Sequence, residues 1–351
     1  MKSVKSFVVK CILAAIPFII VVGYTWLFPF GYMDEEFPSW HYTKQVQDGR
    51  MSVPDAGNAC LVLGDSRAMA DIVPVMMGDN YVNLGIGGAT SVEMYYSLLH
   101  YIRNNGTPER VFIMFAPFHY SYMDNYETRT LYFHHLSFWE AMEVYHRAVM
   151  FEQNAKGSSV SGMLPASGDK DEDAVLSDTF KSIDRGDMLG IYLRSPSVYM
   201  PALINSRAFM RYGTNQGLYR EQLETRGHAL YGTADGCDDL NYEANYEHMK
   251  QDVDHRIITY YFEKLLKLCE DNGIDTCVLQ APMNEASYNS LKPGFLDEYI
   301  SYVTAIARSH TGISFETEIP CYENRYFGDS SHLNEKGAKV YTEEVISKYI
   351  R

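Results

Sequence analysis

From Cys11 to Phe30 the chain runs 20 residues without a charged side chain, inside the apolar stretch FVVKCILAAIPFIIVVGYTWLFPF that begins at Phe7. No other segment constrains the fold as tightly, because about 20 apolar residues are what a helix needs to cross a bilayer. Lys2, Lys5 and Lys10 lie ahead of the uncharged run, and Asp34, Glu35 and Glu36 come after it. This asymmetry predicts a cytoplasmic N-terminus, with residues 31–351 outside the membrane. Tyr24 and Trp26 suit the far interface. A cleaved signal peptide is the alternative reading, but the apolar stretch is long for one and no A-x-A site succeeds it.

Beyond the anchor, 46% hydrophobic and 21% charged residues in a 351-residue chain are ordinary globular composition. The expected division is a tip and anchor over 1–31, a Pro- and aromatic-rich stem over 32–57, and one large domain over 58–351. A formal net charge of −15 argues against nucleic acid as a partner, since that needs a basic face to neutralise phosphates. Of the 28 tyrosines, some suit a sugar-binding groove and most are expected to pack or to sit at the surface. Cys11 falls in the anchor, leaving Cys60, Cys237, Cys269, Cys277 and Cys321, an odd number. One or two disulfides, with Cys237 a candidate partner, or buried free thiols are equally compatible with that count. No C-x-x-C pair appears, so no zinc site is expected, and no cofactor either.

Short apolar runs read as buried parallel strands at Cys60–Leu63, Tyr81–Leu84, Val111–Phe115, Thr276–Gln280 and Ile313–Phe315. Helical patterns lie between and after them, over Ser91–Asn104 and near 245–271, 295–309 and 335–349. Strands alternating with helices imply an α/β sheet covered on both faces. The region from about 119 to 245 breaks the rhythm, with helical pieces over His134–Phe151 and a polar loop, NAKGSSVSGMLPASGDKDED. It reads as a large insertion after the third strand.

Three stretches at predicted strand ends carry the chemistry. In LVLGDSRAMADIVP, Ser66 comes after a strand and opens a helix, at the carboxyl edge where open α/β sheets bind ligands. Backbone N–H groups at such a helix start suit an oxyanion; a helix cap is the alternative. In YVNLGIGGATSVEM the glycines Gly85, Gly87 and Gly88 do not make G-x-G-x-x-G, so a dinucleotide fold is unsupported. That turn either needs positive φ or adds an oxyanion donor. In YFGDSSHLNEKGAKVYTEEV, Asp329 precedes His332 by three, a spacing that lets the carboxylate orient the imidazole toward a distant serine.

Together GDSR, NLGIGGATS and DSSH resemble the blocks of the SGNH (GDSL-like) hydrolase superfamily, over about residues 58–115 and 250–350. The resemblance implies a flavodoxin-like three-layer α/β/α fold with a mostly parallel sheet. It implies Ser66 as nucleophile, His332 as base and Asp329 as orienter, with an oxyanion hole from Ser66 and Gly88. One block departs: where the family has Gly-x-Asn-Asp after the third strand, this chain reads FIMFAPFHYSYM, with no Asn. His119, Tyr120 or Asn284 are the candidate replacements, with an aromatic core contact as the other role for Tyr120. Arg67 either holds an anionic group of the substrate or is a solvated or ion-paired side chain.

The apolar-Pro-x-aromatic segment at this position is similar to membrane-anchored SGNH-like proteins of cell-envelope acylation, including the DltD family of teichoic-acid D-alanylation and the alginate acetylation proteins. That resemblance implies an extracytoplasmic acyltransferase or esterase acting on a cell-surface polysaccharide or teichoic-acid-like polymer, beside a membrane-bound O-acyltransferase. A carbohydrate O-acetyl esterase and a catalytically idle scaffold are the rival expectations.

Overall fold

The computed structural model describes residues 2–53, 58–123, 125–157, 178–181, 185–205 and 208–350. Five parallel strands make the central sheet: β1 (Cys60–Gly64), β2 (Tyr81–Asn83), β3 (Arg110–Met114), β4 (Asp275–Val278) and β6 (Ser314–Phe315), in the order β2-β1-β3-β4-β6. A separate parallel pair joins β5 (Met283–Asn284) to β7 (Cys321–Tyr322). All five runs read as strands from the sequence are strands. The order reverses between β1 and β3, which makes the carboxyl ends of those two strands the topological switch point where open α/β sheets take ligands.

Side-chain alternation along each strand divides the core in two. Leu61, Leu63, Val111 and Ile113 pack against the helices Ser91–Asn105, Val253–Asp271 and Pro293–Ser309. Cys60, Val62, Phe112 and Met114 pack the other way, against Ala68, Ile72 and the Glu335–Tyr349 helix. Cys60, Cys269 and Cys277 are buried free thiols, and the described cysteines form no disulfide.

The N-terminal helix, Lys2–Leu27, contains one segment long and apolar enough to cross a membrane, Val4–Leu27, of mean hydropathy 2.4. The chain beyond Leu27 packs onto the domain. The helix Phe37–Gln47 packs against the Ser91–Asn105 and Ala208–Glu224 helices and buries Tyr42 and Val46 in the main core, while Phe37 and Trp40 pack on Ile86, Ala89 and Phe133.

The insertion separates β3 from the Val253–Asp271 helix and builds its own core. Leu131, Leu136, Ala141 and Val144 pack onto Val92, Ile257, Ile258 and Tyr261, on the outer side of two helices that cover the sheet. Its first long helix starts at Phe138 and not at His134. His134 has φ +56°, which no helix accepts, while Ser137 and Glu140 exchange capping hydrogen bonds that set the later start. The helix expected near 245 starts at Val253 because Asp252 caps it, accepting from the N–H groups of Asp254 and His255. The polar loop falls mostly outside the described residues.

Candidate active site

Ser66 is the first residue of a short helix, Ser66–Asp71, entered directly from β1. Asp65 caps that helix by accepting from Arg67 N–H at 2.9 Å. The turn is possible because Gly64 lacks a side chain: a Cβ there would lie 1.8 Å from the Met114 carbonyl oxygen of β3. The sharp exit leaves the Ser66 hydroxyl at the sheet's carboxyl edge.

His332 reaches this hydroxyl across 266 positions of chain, with Nε2 at 2.8 Å from Ser66 Oγ. Its Nδ1 donates to Asp329, 2.8 Å from Oδ2 and 3.0 Å from Oδ1. A carboxylate can only accept, so Nδ1 carries the proton and Nε2 is left to accept from Ser66. Asp329 is fixed by the N–H groups of Ser331 and His332, each 2.8 Å from Oδ1. Burial alone would raise its pKa, but the hydrogen bonds from His332 and these amides outweigh that and hold it below the usual carboxylate value. Ser66, His332 and Asp329 thus stand in the geometry by which an imidazole can take a hydroxyl proton.

Tyr231, from the far end of the insertion, stacks on the His332 ring at 4.5 Å and 19°. Its hydroxyl donates to Glu36 Oε2 at 2.8 Å. Glu36 lies only nine residues beyond the end of the apolar helix. Arg129 pairs with Glu36 at 3.6 Å and donates to the Gly87 carbonyl at 3.2 Å, tying this residue after the apolar helix to the glycine turn as well. Asp71 accepts from Leu333 N–H at 2.9 Å and so pins the loop that carries His332. Full burial pushes the Asp71 carboxyl well above the ordinary range.

Gly88 has φ +76°, and a Cβ on it would fall 1.9 Å from Asn125 Nδ2. Nothing in the sequence singled out Asn125, which lies in the insertion outside any motif. Its carboxamide rests against Gly88, and no protein acceptor takes its side-chain N–H groups among the described residues. The Ser66 N–H, in the first turn of its helix, likewise has no intrahelical acceptor. Asn125 is thus a side-chain donor beside the glycine turn, and the neighbouring Gly87 closes on the Tyr231 hydroxyl, whose ring covers His332.

The other sequence candidates fare differently. His119 is at the site's edge: its Nδ1 lies 2.6 Å from Asp65 Oδ2, and its side chain is 12% exposed. Asp65 itself is fully buried, yet the His119 hydrogen bond, Arg67 and the Ala116 N–H hold its carboxyl below the usual value against the cost of burial. Tyr120 is a core residue, stacked on Phe115 at 4.0 Å and edge-on to Phe262, so it cannot meet a substrate. Asn284 is buried and spent on structure: Oδ1 caps Ser287 N–H, and Nδ2 donates to the carbonyls of Cys237 and Asp239. Arg67 does not face a ligand. It is 3% exposed and both Glu243 carboxylate oxygens lie 2.8 Å from its Nη2. Glu243 closes the insertion, so this buried pair ties the insertion to the helix that bears Ser66. Compared with family models, with curated proteins and with solved structures, the chain matches none.

Proposed function

We propose that this chain is an SGNH-type serine O-acyltransferase or esterase, anchored by its N-terminal helix with the catalytic domain outside the membrane. Ser66 attacks an acyl carbonyl, such as an acetyl or D-alanyl-like ester. His332 takes the hydroxyl proton and returns it to the donor's departing alkoxide as the acyl–oxygen bond breaks, while Asp329 keeps the imidazole in the right tautomer and stabilises its charge. The oxyanion meets the N–H groups of Ser66 and Gly88, with the Asn125 carboxamide as third donor. A hydroxyl of a cell-surface glycopolymer then takes the acyl group from Ser66, and a membrane-bound O-acyltransferase is the proposed partner. The observation that carries this reading is the 2.8 Å contact between His332 Nε2 and Ser66 Oγ, with Asp329 on the opposite ring nitrogen.

The test is covalent. Full-length protein should be labelled by a fluorophosphonate probe at Ser66, and the Ser66→Ala variant should not. A parent protein that stays unlabelled would leave the idle scaffold as the surviving alternative. With a labelled enzyme in hand, a simple acyl ester plus oligosaccharide acceptors separates the two chemistries: a new sugar ester means transfer, and free acid alone means an esterase.

A further inference from the structure

The insertion presents aliphatic side chains to solvent on the side where the apolar helix leaves the domain. Leu193 is 62% exposed, Ile204 69% and Met210 72%. Each belongs to a segment that grips the anchor or its exit. Next to Leu193, Arg194 donates to the Thr25 carbonyl and lies over the Trp26 ring at 5.0 Å. Ile204 is on the Pro196–Asn205 helix, which packs against the apolar helix. Next to Met210, Arg211 donates to the Met33 carbonyl at 3.3 Å, and Asn215 of the same helix donates to the carbonyls of Phe30 and Met33. These exposed apolar residues are therefore held at the level where the anchor ends, and Trp26 is a ring type that favours the membrane interface.

We infer that this collar of the insertion, carrying Leu193, Ile204 and Met210, rests in the interface of the lipid bilayer beside the anchor. Continuity with the membrane-crossing helix identifies the occupant. Leu193 is fixed beside Thr25 and Trp26 and Met210 beside Phe30 and Met33, where the helix ends, and burying such side chains among lipid headgroups removes apolar area from water. The domain then touches the membrane at two places, the anchor and the collar, and cannot swing freely about the segment after Leu27. Glu36 ties that same segment to Tyr231 and thence to His332, so the seating also sets how far the triad stands from the headgroups. The inference does not depend on the acyl chemistry proposed above.

The full chain is placed in nanodiscs of equal parts phosphatidylcholine and phosphatidylglycerol, after Cys11, Cys237 and Cys321 have been changed to Ser. Nitroxide labels are attached one at a time to Leu193→Cys, Ile204→Cys, Met210→Cys and, as control, Val75→Cys, which is 45% exposed on a helix of the opposite sheet face. All four positions are exposed, so the labels leave the core intact, and circular dichroism of each variant checks this. Collisions with oxygen should exceed those with a water-soluble nickel chelate at 193, 204 and 210, and the order should reverse at 75. Nickel accessibility at the three collar sites equal to that at 75 would overturn the inference. So would labels shielded from both reagents, since that pattern means a protein covers the surface.

Discussion

Two aspartate–histidine pairs flank Ser66, and they differ in what surrounds the carboxylate. In Asp329–His332 the carboxylate side chain is 39% exposed, and the imidazole's second nitrogen meets Ser66 Oγ. In Asp65–His119 the carboxylate is fully buried and also accepts from the N–H groups of Arg67 and Ala116. The first pair is built around a proton acceptor. The second holds the turn that precedes the nucleophile to the loop after β3. The same two residue types thus present a base to a hydroxyl in one place and brace the fold in the other, because of these two histidines only His332 has a hydroxyl at its free nitrogen among the described residues.

Substitution of the two histidines is the harshest trial of that distinction. His332→Ala should cost up to ~10⁶-fold in ester turnover, as loss of a whole nucleophile–base unit does. His119→Ala should retain fluorophosphonate labelling at Ser66 and lose no more than roughly 10²-fold in turnover. Equal losses in the two variants would erase the contrast. For the carboxylates the effects should trade places. Asp329→Asn should lower turnover by roughly 10⁴-fold through the wrong tautomer, with a smaller loss of stability than at fully buried Asp65. Asp65→Asn sets an amide donor against buried N–H groups and should lose about 2–3 kcal/mol in a denaturant titration.

Asn125→Ala tests the donor that stands against Gly88. A drop of about 10²–10³ in kcat with little change in KM is expected for one oxyanion donor. An unchanged kcat would assign Asn125 to loop packing alone.

The smallest effect separates three carboxylates by their direction of shift. Asp65 and Asp329 titrate below the ordinary value, so they stabilise the fold above that value and the benefit is lost as pH falls through their lowered one. Asp71 titrates well above it, so the folded state holds a proton that the unfolded chain releases, and stability falls as pH rises from about 4. Asp71→Asn keeps an acceptor for Leu333 N–H without the titration. Its melting temperature should fall less than the parent's between pH 5 and 8, and parallel pH profiles would refute the shift.

Much of this was legible in the chain. The five sheet strands, the apolar helix and the three sites at strand ends come from local pattern, since apolar runs, glycine turns and capping residues act over a few positions. The spacing of Asp329 and His332 likewise announced a pair. The candidates that failed did so because burial is a property of neighbours. Arg67 read as a ligand contact or an ion pair, and Glu243 from the insertion makes it the latter; Tyr120 takes the core role also open to it, against Phe262, and Asn284 is spent on the Cys237 and Asp239 carbonyls. Asn125, Tyr231 and Glu36 carried no motif, so nothing local marked them.

By itself, then, the sequence determined the elements, their alternation and the residue types needed at Ser66, Asp329 and His332. Tertiary structure alone decided which imidazole meets the serine, which carboxylate is walled in and which asparagine faces Gly88. Those decisions belong to contacts between segments up to 266 residues apart, where distance and burial set the chemistry and local propensity has no reach.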